Sequence, residues 1–354
     1  MIPAALQRGD TVAVVSPCGP VLDHGVLDDS IAVVRSWGLH VVEGAHARAA
    51  AGHVAGSDGQ RAADLNAAIA DPVVRGVWVA RGGYGLTRIL NRVDWDALAT
   101  DPKIIVGFSD VTALLVAAWQ GVGLVSVHGH FAGPLTAQPV EARDRLRAVL
   151  FGEVVDVLVG SPLPGAPVGQ VTAPLIGGNL TVLAALAGTP DALDAAGCVL
   201  LLEEVGEAPY RVDRLLTQLR HSGALDGVVG VVVGAPVACD PPATRPSSTF
   251  ADVVTDRLGD LGVPVVTDLS IGHMSDQQAV LHGGAVRLDG ATGTLTMGDR
   301  LASTGENDGA VGQSVGKWNR VTSAGKSDHA SPVTGVNTAR PPASSPDQAS
   351  GGGA

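Results

Sequence analysis

Aromatic residues are scarce in this 354-residue chain: Phe, Trp and Tyr make up 3% of it, although hydrophobic residues as a whole make up 45%. The core must therefore be built mainly from Val, Leu, Ile and Ala. Basic residues are also few, with 23 Lys and Arg against 35 Asp and Glu, so the formal net charge is −12. This charge argues against nucleic acid or an anionic membrane as the main partner.

Cysteine is nearly absent, and no apolar run is long enough to span a membrane. Cys18, Cys198 and Cys239 are scattered without C-x-x-C spacing, so we expect free thiols in a reducing compartment. The segment Met1–Asp10 has no basic region followed by an apolar stretch, so no signal peptide is evident. These absences predict a cytoplasmic protein without a membrane partner.

Strands and helices alternate along the first half of the chain. Apolar runs such as Thr11–Pro17 and Val73–Ala80 are typical of buried strands, and residues with helical spacing follow them. This alternation predicts an α/β fold with a parallel, doubly wound, Rossmann-like sheet. Shorter elements after the Pro- and Gly-rich connector Gly160–Gly169 predict a smaller mixed α/β domain, which would include the apolar runs at 279–281 and 285–288.

Two helices of the first half are predicted from local signals. Ser57 and Gln60 have the spacing of a capping box and open a predicted helix at 61–70. A further helix is predicted at 86–91, after the glycine-rich turn that follows the strand Val73–Ala80.

The sequence thus predicts four segments. A Rossmann-like amino-terminal domain spans 1–135, a connecting helix and linker span 136–169, and a carboxy-terminal α/β domain spans 170–300. The tail at 301–354 is dominated by Ser, Gly, Thr, Ala and Pro without an apolar period. We expect it to be disordered and dispensable, because this composition cannot bury enough surface to fold.

The stretch Lys103–Leu115 combines a short apolar run, a tight turn at Gly107 and a helical pattern. Ser109 stands at the turn, where a side chain projects from the carboxyl edge of the sheet and the following backbone N–H groups point into the same space. That position suits a nucleophile whose developing oxyanion must be stabilised. The alternative is a helix N-cap, which Ser109 or Asp110 serves equally well.

A serine nucleophile needs a base, and the base needs an orienting acid. Glu203 follows the apolar strand Cys198–Leu202, and His273 stands in a loop between two strands, directly after a glycine. The chain order Ser, acid, His is also that of the α/β-hydrolases, although Val111 replaces the second glycine of their G-x-S-x-G turn.

Other residues compete for these functions. The alternative acids and bases are Glu204, Glu207, His128 and His130. The i, i+2 spacing of the two histidines also allows a metal-ligand pair. No H-E-x-x-H motif, spaced carboxylate or nearby cysteine accompanies them, so we expect neither a metal nor a cofactor.

The glycine-rich turn Arg81–Gly85 follows a predicted strand. It lacks G-x-G-x-x-G and Walker A spacing, so a nucleotide site is only weakly indicated. Glycine allows close backbone approach, and we therefore expect the N–H of Gly83 to form an oxyanion hole with the N–H of Asp110.

The sequence resembles the serine LD-carboxypeptidases, a group that includes muramoyl-tetrapeptide carboxypeptidases and the related microcin C immunity peptidases. The motifs that carry the resemblance are Leu6–Pro17, Gly56–Leu65, Arg81–Gly85, Gly107–Thr112, Gly177–Leu180, Leu202–Arg214 and Ile271–His273. The segment after His273 departs from the family because it lacks a Pro-containing stretch, and the tail has no family counterpart.

The resemblance implies a serine peptidase that hydrolyses the L,D bond to a terminal D-amino acid through an acyl-enzyme. The substrate would be a small murein peptide, such as the tetrapeptide that loses D-alanine during cell-wall recycling, and the protein would be a homodimer. The implied triad is Ser109, His273 and Glu203. The implied substrate-binding residues are Arg81, Gly82 and Asn179. The alternatives are a microcin-immunity-like hydrolase of aminoacyl-nucleotide conjugates and a noncatalytic peptide-binding protein.

Glu203 and Glu204 are adjacent, so the acid must be chosen between them. Side chains alternate along a strand, and only one of the two carboxylates is therefore expected to face His273. The family pattern favours Glu203. We expect Glu204 to reach solvent or to pair with Arg211 or Arg214.

Overall fold

Two β-sheets organise the residues that this computed structural model describes, which are 1–130, 135–241 and 246–302. The first sheet contains β1 (Thr11–Val15), β2 (His40–Glu43), β3 (Val74–Val79), β4 (Ile104–Gly107), β5 (Ser126–His128) and β12 (Val280–His282). The second contains β6 (Leu158–Val159), β7 (Ser161–Pro162), β8 (Gln170–Asn179), β9 (Val199–Glu203), β10 (Gly230–Gly234), β11 (Val265–Leu269), β13 (Ala285–Asp289) and β14 (Thr294–Met297).

Helices connect and cover these strands. They are α1 (His24–Ser36), α2 (Asp58–Ala70), α3 (Trp95–Thr100), α4 (Thr112–Val122), α5 (Val140–Leu150), α6 (Leu180–Leu186), α7 (Pro209–His221) and α8 (Phe250–Leu258). Short 3₁₀ turns lie at Leu86–Arg88, Leu90–Arg92, Ser109–Val111 and Leu135–Ala137.

The first sheet has the strand order β2-β1-β3-β4-β5, all parallel, with β12 antiparallel at the β5 edge. The connections reverse direction between β1 and β3, and open α/β sheets bind ligands outside the carboxyl ends of strands at such a point. The turns Arg81–Gly85 and Gly107–Asp110 follow β3 and β4, so both lie at this edge. The predicted fold class, a parallel sheet with a second mixed sheet, is confirmed.

One strand lies in a different sheet from the one expected. The runs at 279–281 and 285–288 were both predicted in the second domain, and β13 does pair with β8 there. Strand β12 instead pairs with β5, with Val280 opposite His128. An antiparallel edge strand needs no crossover helix, so a chain returning from the second sheet is able to pair there. The division into domains at 136–169 stays a prediction.

The second sheet nearly closes on itself. Its order is β6-β14-β13-β8-β9-β10-β11-β7, so the two edge strands are consecutive in the chain and only Gly160 separates them. The Gly160 N–H donates to the Gly293 carbonyl at 2.8 Å. A Cβ at Gly160 would overlap the carbonyl oxygen of Thr267. Part of the predicted connector therefore belongs to the sheet, and only glycine fits at the closure.

The structure confirms the predicted start of α2 and contradicts the predicted helix at 86–91. Helix α2 begins with the expected capping box, in which the Ser57 and Gln60 side chains each bind the other residue's backbone N–H. The predicted helix at 86–91 is two 3₁₀ turns, because Ile89 between them has a φ of −122°. So short a run gains too few hydrogen bonds to offset helix nucleation.

Helix α4 is buried on nearly every side and lies between the two sheets. Residues 112–118 are all buried. Leu114 and Leu115 pack into an apolar cluster with the first sheet, whereas Val116 packs with residues of the second. The segment expected to be a tail starts with Leu301 and Ala302, which are described; Leu301 is buried and Ala302 pairs with Ala4. The rest of that segment lies outside the described residues.

His282 joins the two sheets from β12. Its side chain is fully buried, and its Nε2 accepts the N–H of Gly177 in β8 at 3.1 Å. Burial, and then the nearby His128, lowers the pKa of His282 from 6.5 to about 3. The folded protein therefore holds this imidazole neutral over the whole physiological pH range.

His282 makes folding sensitive to acid. Because its folded pKa is depressed, the stability it contributes is present above its unfolded value of 6.5 and is lost as pH falls toward 3. Between pH 7 and pH 5 this loss is about 2 kcal/mol. Between pH 7 and pH 5, we expect the free energy of unfolding of His282→Gln to fall by about 2 kcal/mol less than that of the wild type. Urea unfolding at both pH values measures this difference. The exposed His24→Gln is the matched control. An unchanged pH dependence in His282→Gln would contradict the assignment.

Candidate active site

Ser109 lies in a strained turn directly after β4. Its φ is +60°, in the left-handed region that non-glycine residues seldom adopt. A Cβ at Gly107 would come within 2.8 Å of the Val111 side chain. The turn therefore needs glycine at 107, because Val111 packs against it at the position where the α/β-hydrolase turn has a second glycine.

The structure brings Ser109, His273 and Glu203 into one hydrogen-bonded line. His273 Nδ1 lies 2.7 Å from Glu203 Oε2, and His273 Nε2 lies 3.2 Å from Ser109 Oγ. The Glu203 side chain is completely buried, whereas that of His273 is 19% exposed. A buried acid, a partly exposed base and a serine in this order are able to transfer a proton from Ser109 to the imidazole.

Two glycines allow the loop that carries His273 to pack against Glu203. Gly272 has a φ of +109°, and a Cβ there would lie 2.7 Å from Glu203 Oε2. Gly234 at the end of β10 packs against the backbone of Ile271, and a Cβ on it would overlap the Ile271 carbonyl oxygen. The loop from β11 can therefore approach the end of β9 only because both positions lack a side chain.

The turn after β3 lies near the nucleophile. Within the described residues, the backbone N–H groups of Gly83 and Asp110 donate no hydrogen bond. The Gly82 carbonyl accepts the Gly19 N–H at 3.0 Å, which ties this turn to the loop after β1. Two unused donors at the carboxyl edge of a sheet are suited to stabilising an oxyanion.

The three expected substrate-binding residues have different surroundings. Arg81 is half-buried, and its Nη1 donates to the Pro20 carbonyl at 3.3 Å. Gly82 is buried. The Asn179 side chain serves the fold: Oδ1 caps α6 by accepting the Val182 N–H at 3.1 Å, and Nδ2 donates to Glu204 at 3.3 Å. Asn179 therefore caps α6, and its contact with substrate stays a prediction.

Glu204 points away from His273, as expected. The expectation that it reaches solvent or pairs with Arg211 or Arg214 is wrong. It is 3% exposed, and its carboxylate accepts the Thr181 N–H at 2.9 Å, the Thr181 hydroxyl at 2.7 Å and the Val205 N–H at 2.9 Å. Burial raises the pKa of Glu204, although these hydrogen bonds oppose the rise. The start of α6 covers this side of β9, which alternation along a strand does not predict.

The competing histidines both lie beside the ring of Phe108. His128 is fully buried, and its ring lies 6.0 Å from that of Phe108, which in turn lies 4.9 Å from His273. Burial lowers the pKa of His128 to about 4, so this imidazole is a weak base. His130 also lies beside Phe108, with ring centroids 5.7 Å apart. No group of three or more His, Cys, Asp or Glu residues among those described is arranged to hold a metal ion.

Sequence reasoning missed the residues that support the site. Phe108 packs against His273, and Arg61 and Cys18 lie under the turns that carry Gly83 and Asp110. Phe108 and Arg61 occur within the motifs Gly107–Thr112 and Gly56–Leu65, which was the available signal. Their functions depend on contacts between distant loops.

A serine in a strained strand-to-helix turn, a histidine on its hydroxyl and a buried carboxylate on that histidine define a serine hydrolase. Residues 12–129 match the LD-carboxypeptidase N-terminal domain and residues 172–288 the LD-carboxypeptidase C-terminal domain. The chain therefore belongs to the LD-carboxypeptidase family and is a serine carboxypeptidase.

Individual relatives agree with this membership. A Streptomyces coelicolor protein named as a candidate carboxypeptidase is 44% identical over 307 residues, which are 85% of this chain and 96% of the relative. The murein tetrapeptide carboxypeptidase of Pseudomonas aeruginosa is 32% identical over 290 residues, covering 79% of this chain and 93% of the relative.

Solved structures show the same fold. The muramoyltetrapeptide carboxypeptidase from Oxalobacter formigenes is 30% identical, with a TM-score of 0.74 over 82% of this chain and all of that one. The microcin C7 self-immunity protein MccF has a TM-score of 0.76 over 86% of this chain and all of that one, at 21% identity. The latter likeness concerns the fold alone. Among the described residues, no helix is both long and apolar enough to cross a membrane.

The buried bonds of Glu204 predict a structural defect when they are removed. Glu204→Ala leaves the Thr181 and Val205 N–H groups without their acceptor, so we expect a loss of about 2–4 kcal/mol in the free energy of unfolding. Glu207→Ala is the matched control, because the Glu207 carboxylate pairs with the exposed Arg211 at 3.3 Å, and its loss should cost about 0–1 kcal/mol. Urea unfolding measures both, and equal effects would argue against the network.

Proposed function

We propose that this carboxypeptidase removes a terminal D-amino acid from an L-configured neighbour, with murein tetrapeptide as substrate and D-alanine as product. The observation that carries the proposal is the Ser109–His273–Glu203 line beside two unused backbone donors. The names of the Pseudomonas aeruginosa and Oxalobacter formigenes relatives support the choice of peptide.

In the proposed mechanism, Ser109 Oγ attacks the carbonyl carbon of the L-residue while His273 Nε2 accepts the serine proton. The N–H groups of Gly83 and Asp110 hold the resulting oxyanion. The tetrahedral intermediate collapses as His273 returns the proton to the leaving amine, which releases the D-amino acid. Water then attacks the acyl-enzyme with His273 again as base. Glu203 keeps the Nδ1–H tautomer throughout.

Arg81 is proposed to bind the free carboxylate of the terminal residue. Its Nη1 lies 3.2 Å from the position of a Cβ on Gly83, so the guanidinium adjoins the proposed oxyanion hole. An exopeptidase must distinguish a chain end from an internal bond, and a guanidinium recognises a carboxylate through paired hydrogen bonds. Gly82 would contribute by letting the substrate lie close to the backbone.

The immunity-like alternative, hydrolysis of an aminoacyl-nucleotide conjugate, would need an aromatic side chain free to stack on a base. In the sequence, Phe250 is the aromatic residue at the edge of the Asp240–Ser248 loop. It is 6% exposed and packs inside the core cluster of the second sheet. This burial favours the peptide substrate. A noncatalytic binding protein would have no need of the strained Ser109.

We further propose a cytoplasmic homodimer. Its three cysteines are buried free thiols, as is usual in a reducing compartment. The dimer rests on the family resemblance, and sedimentation at micromolar concentration tests it.

The triad assignment predicts two inactive but folded variants. Ser109→Ala removes the nucleophile, and Glu203→Gln favours the wrong imidazole tautomer, so each should lower kcat by on the order of 10³-fold or more. D-alanine release from murein tetrapeptide measures turnover, and circular dichroism checks the fold. Undiminished turnover in a folded Ser109→Ala protein would rule out the serine mechanism.

The Arg81 assignment predicts a preference for a free chain end. The wild-type protein should cleave the tetrapeptide acid far faster than its carboxy-terminal amide. Arg81→Ala should raise KM for the acid by about 10–100-fold, the value of a charged hydrogen bond, and should lose this preference. Arg88→Ala is the control, since Arg88 pairs with Asp58 at the surface. An Arg81→Ala protein that still prefers the acid would exclude this function.

A further inference from the structure

The peptide bond between Gly85 and Leu86 is held from both sides. Its N–H, which belongs to Leu86, donates to Asp110 Oδ2 at 3.0 Å. Its carbonyl, which belongs to Gly85, accepts from Arg61 Nη1 at 2.9 Å. This peptide ends the glycine-rich turn after β3, so a side chain from the turn after β4 fixes the neighbouring turn.

A third loop joins the same cluster. Arg61 Nη1 also donates to the carbonyl of Pro17, and the completely buried Cys18 side chain lies beside the Asp110 carboxylate. Burial raises the pKa of the Cys18 thiol well above the ordinary value, so the thiol stays protonated. The loops after β1, β3 and β4 are thus connected by two buried side chains, those of Asp110 and Arg61.

Burying the Asp110 carboxylate costs free energy unless all of its polar contacts are made. Asp110 is 3% exposed, and burial raises the pKa of its carboxyl group. The Leu86 N–H, the Cys18 thiol and the charge of Arg61 all oppose that rise. A buried carboxylate with these partners is held in one position, since any movement would leave a buried charge or donor unsatisfied.

Both proposed oxyanion donors depend on this carboxylate. Asp110 carries one donor on its own backbone, and Gly83 lies three residues before the Leu86 N–H that the carboxylate binds. We propose that the Asp110 side chain is a positioning residue that sets the spacing between the N–H groups of Gly83 and Asp110. The inference rests on the proposed function, because it presupposes an oxyanion bound by these two groups.

The test compares side chains that keep or lose the bond to Leu86. Asp110→Ala and Asp110→Ser remove it, and both should lower kcat for murein tetrapeptide by on the order of 100-fold, with KM within about threefold. Asp110→Asn keeps an acceptor oxygen and should stay within about tenfold of wild type. Asp110→Ser provides the same test if the Asp110→Ala protein does not fold.

A transition-state probe separates positioning from a general loss of structure. A peptide boronic acid forms a tetrahedral, covalent adduct on Ser109 with an oxygen in the oxyanion hole, whereas the tripeptide product has a planar carboxylate and no bond to Ser109. In Asp110→Ala, affinity for the boronic acid should fall on the order of 100-fold and affinity for the product by less than about threefold. Asp64→Ala is the matched control: Asp64 is also buried and accepts a loop N–H, that of His46 at 2.7 Å, away from the site.

The proposal would be overturned by near-normal kcat in folded Asp110→Ala and Asp110→Ser, by equal losses of boronic acid and product binding, or by an Asp110→Asn protein as impaired as Asp110→Ala. A folded Asp64→Ala protein should keep its kcat; a loss as large as that of Asp110→Ala would also overturn the proposal. A failure of the proposed serine mechanism is distinguishable from these results, because the Ser109→Ala protein would then still turn over substrate.

Discussion

The hydrogen bond between His273 and Glu203 is the constraint around which the second half of the chain is arranged. It joins the end of β9 to a loop that begins after β11, and its 2.7 Å length requires the loop backbone to lie against the carboxylate. Gly234 and Gly272 allow that approach because a side chain at either position would overlap its neighbour. The acid is buried and the base is partly exposed, so the pair stays oriented while the imidazole remains accessible.

The first half of the chain provides the other side of the same site. Parallel strands end at one edge of the first sheet, and the turns after β1, β3 and β4 meet there. Helix α4 is buried between the sheets and starts at the nucleophile turn, so Ser109 is attached to one of the most enclosed parts of the molecule. This rigidity sustains the unfavourable backbone angle of Ser109.

Several buried polar groups lie at the site or in the strands that carry it. Glu203, Glu204, Asp110, His128 and His282 are all almost completely enclosed. Each is costly to bury, and the structure lowers that cost by hydrogen bonds for the carboxylates and by neutrality for the histidines. Glu203 and Glu204 are adjacent in the chain yet have different partners: one orients an imidazole, and the other caps a helix and a strand end.

The sequence alone determined the fold class, because alternating apolar and helical patterns depend on local periodicity. Its motifs also identified Ser109, Glu203 and His273, which the structure brings together, and the α2 capping box. Tertiary structure decided what local patterns do not encode. It placed β12 in the first sheet, buried Glu204 under α6 and used Asn179 as a cap. It also joined Cys18, Arg61, Asp110 and Leu86. These outcomes depend on which distant segments cover a residue, and periodicity along the chain carries no information about that.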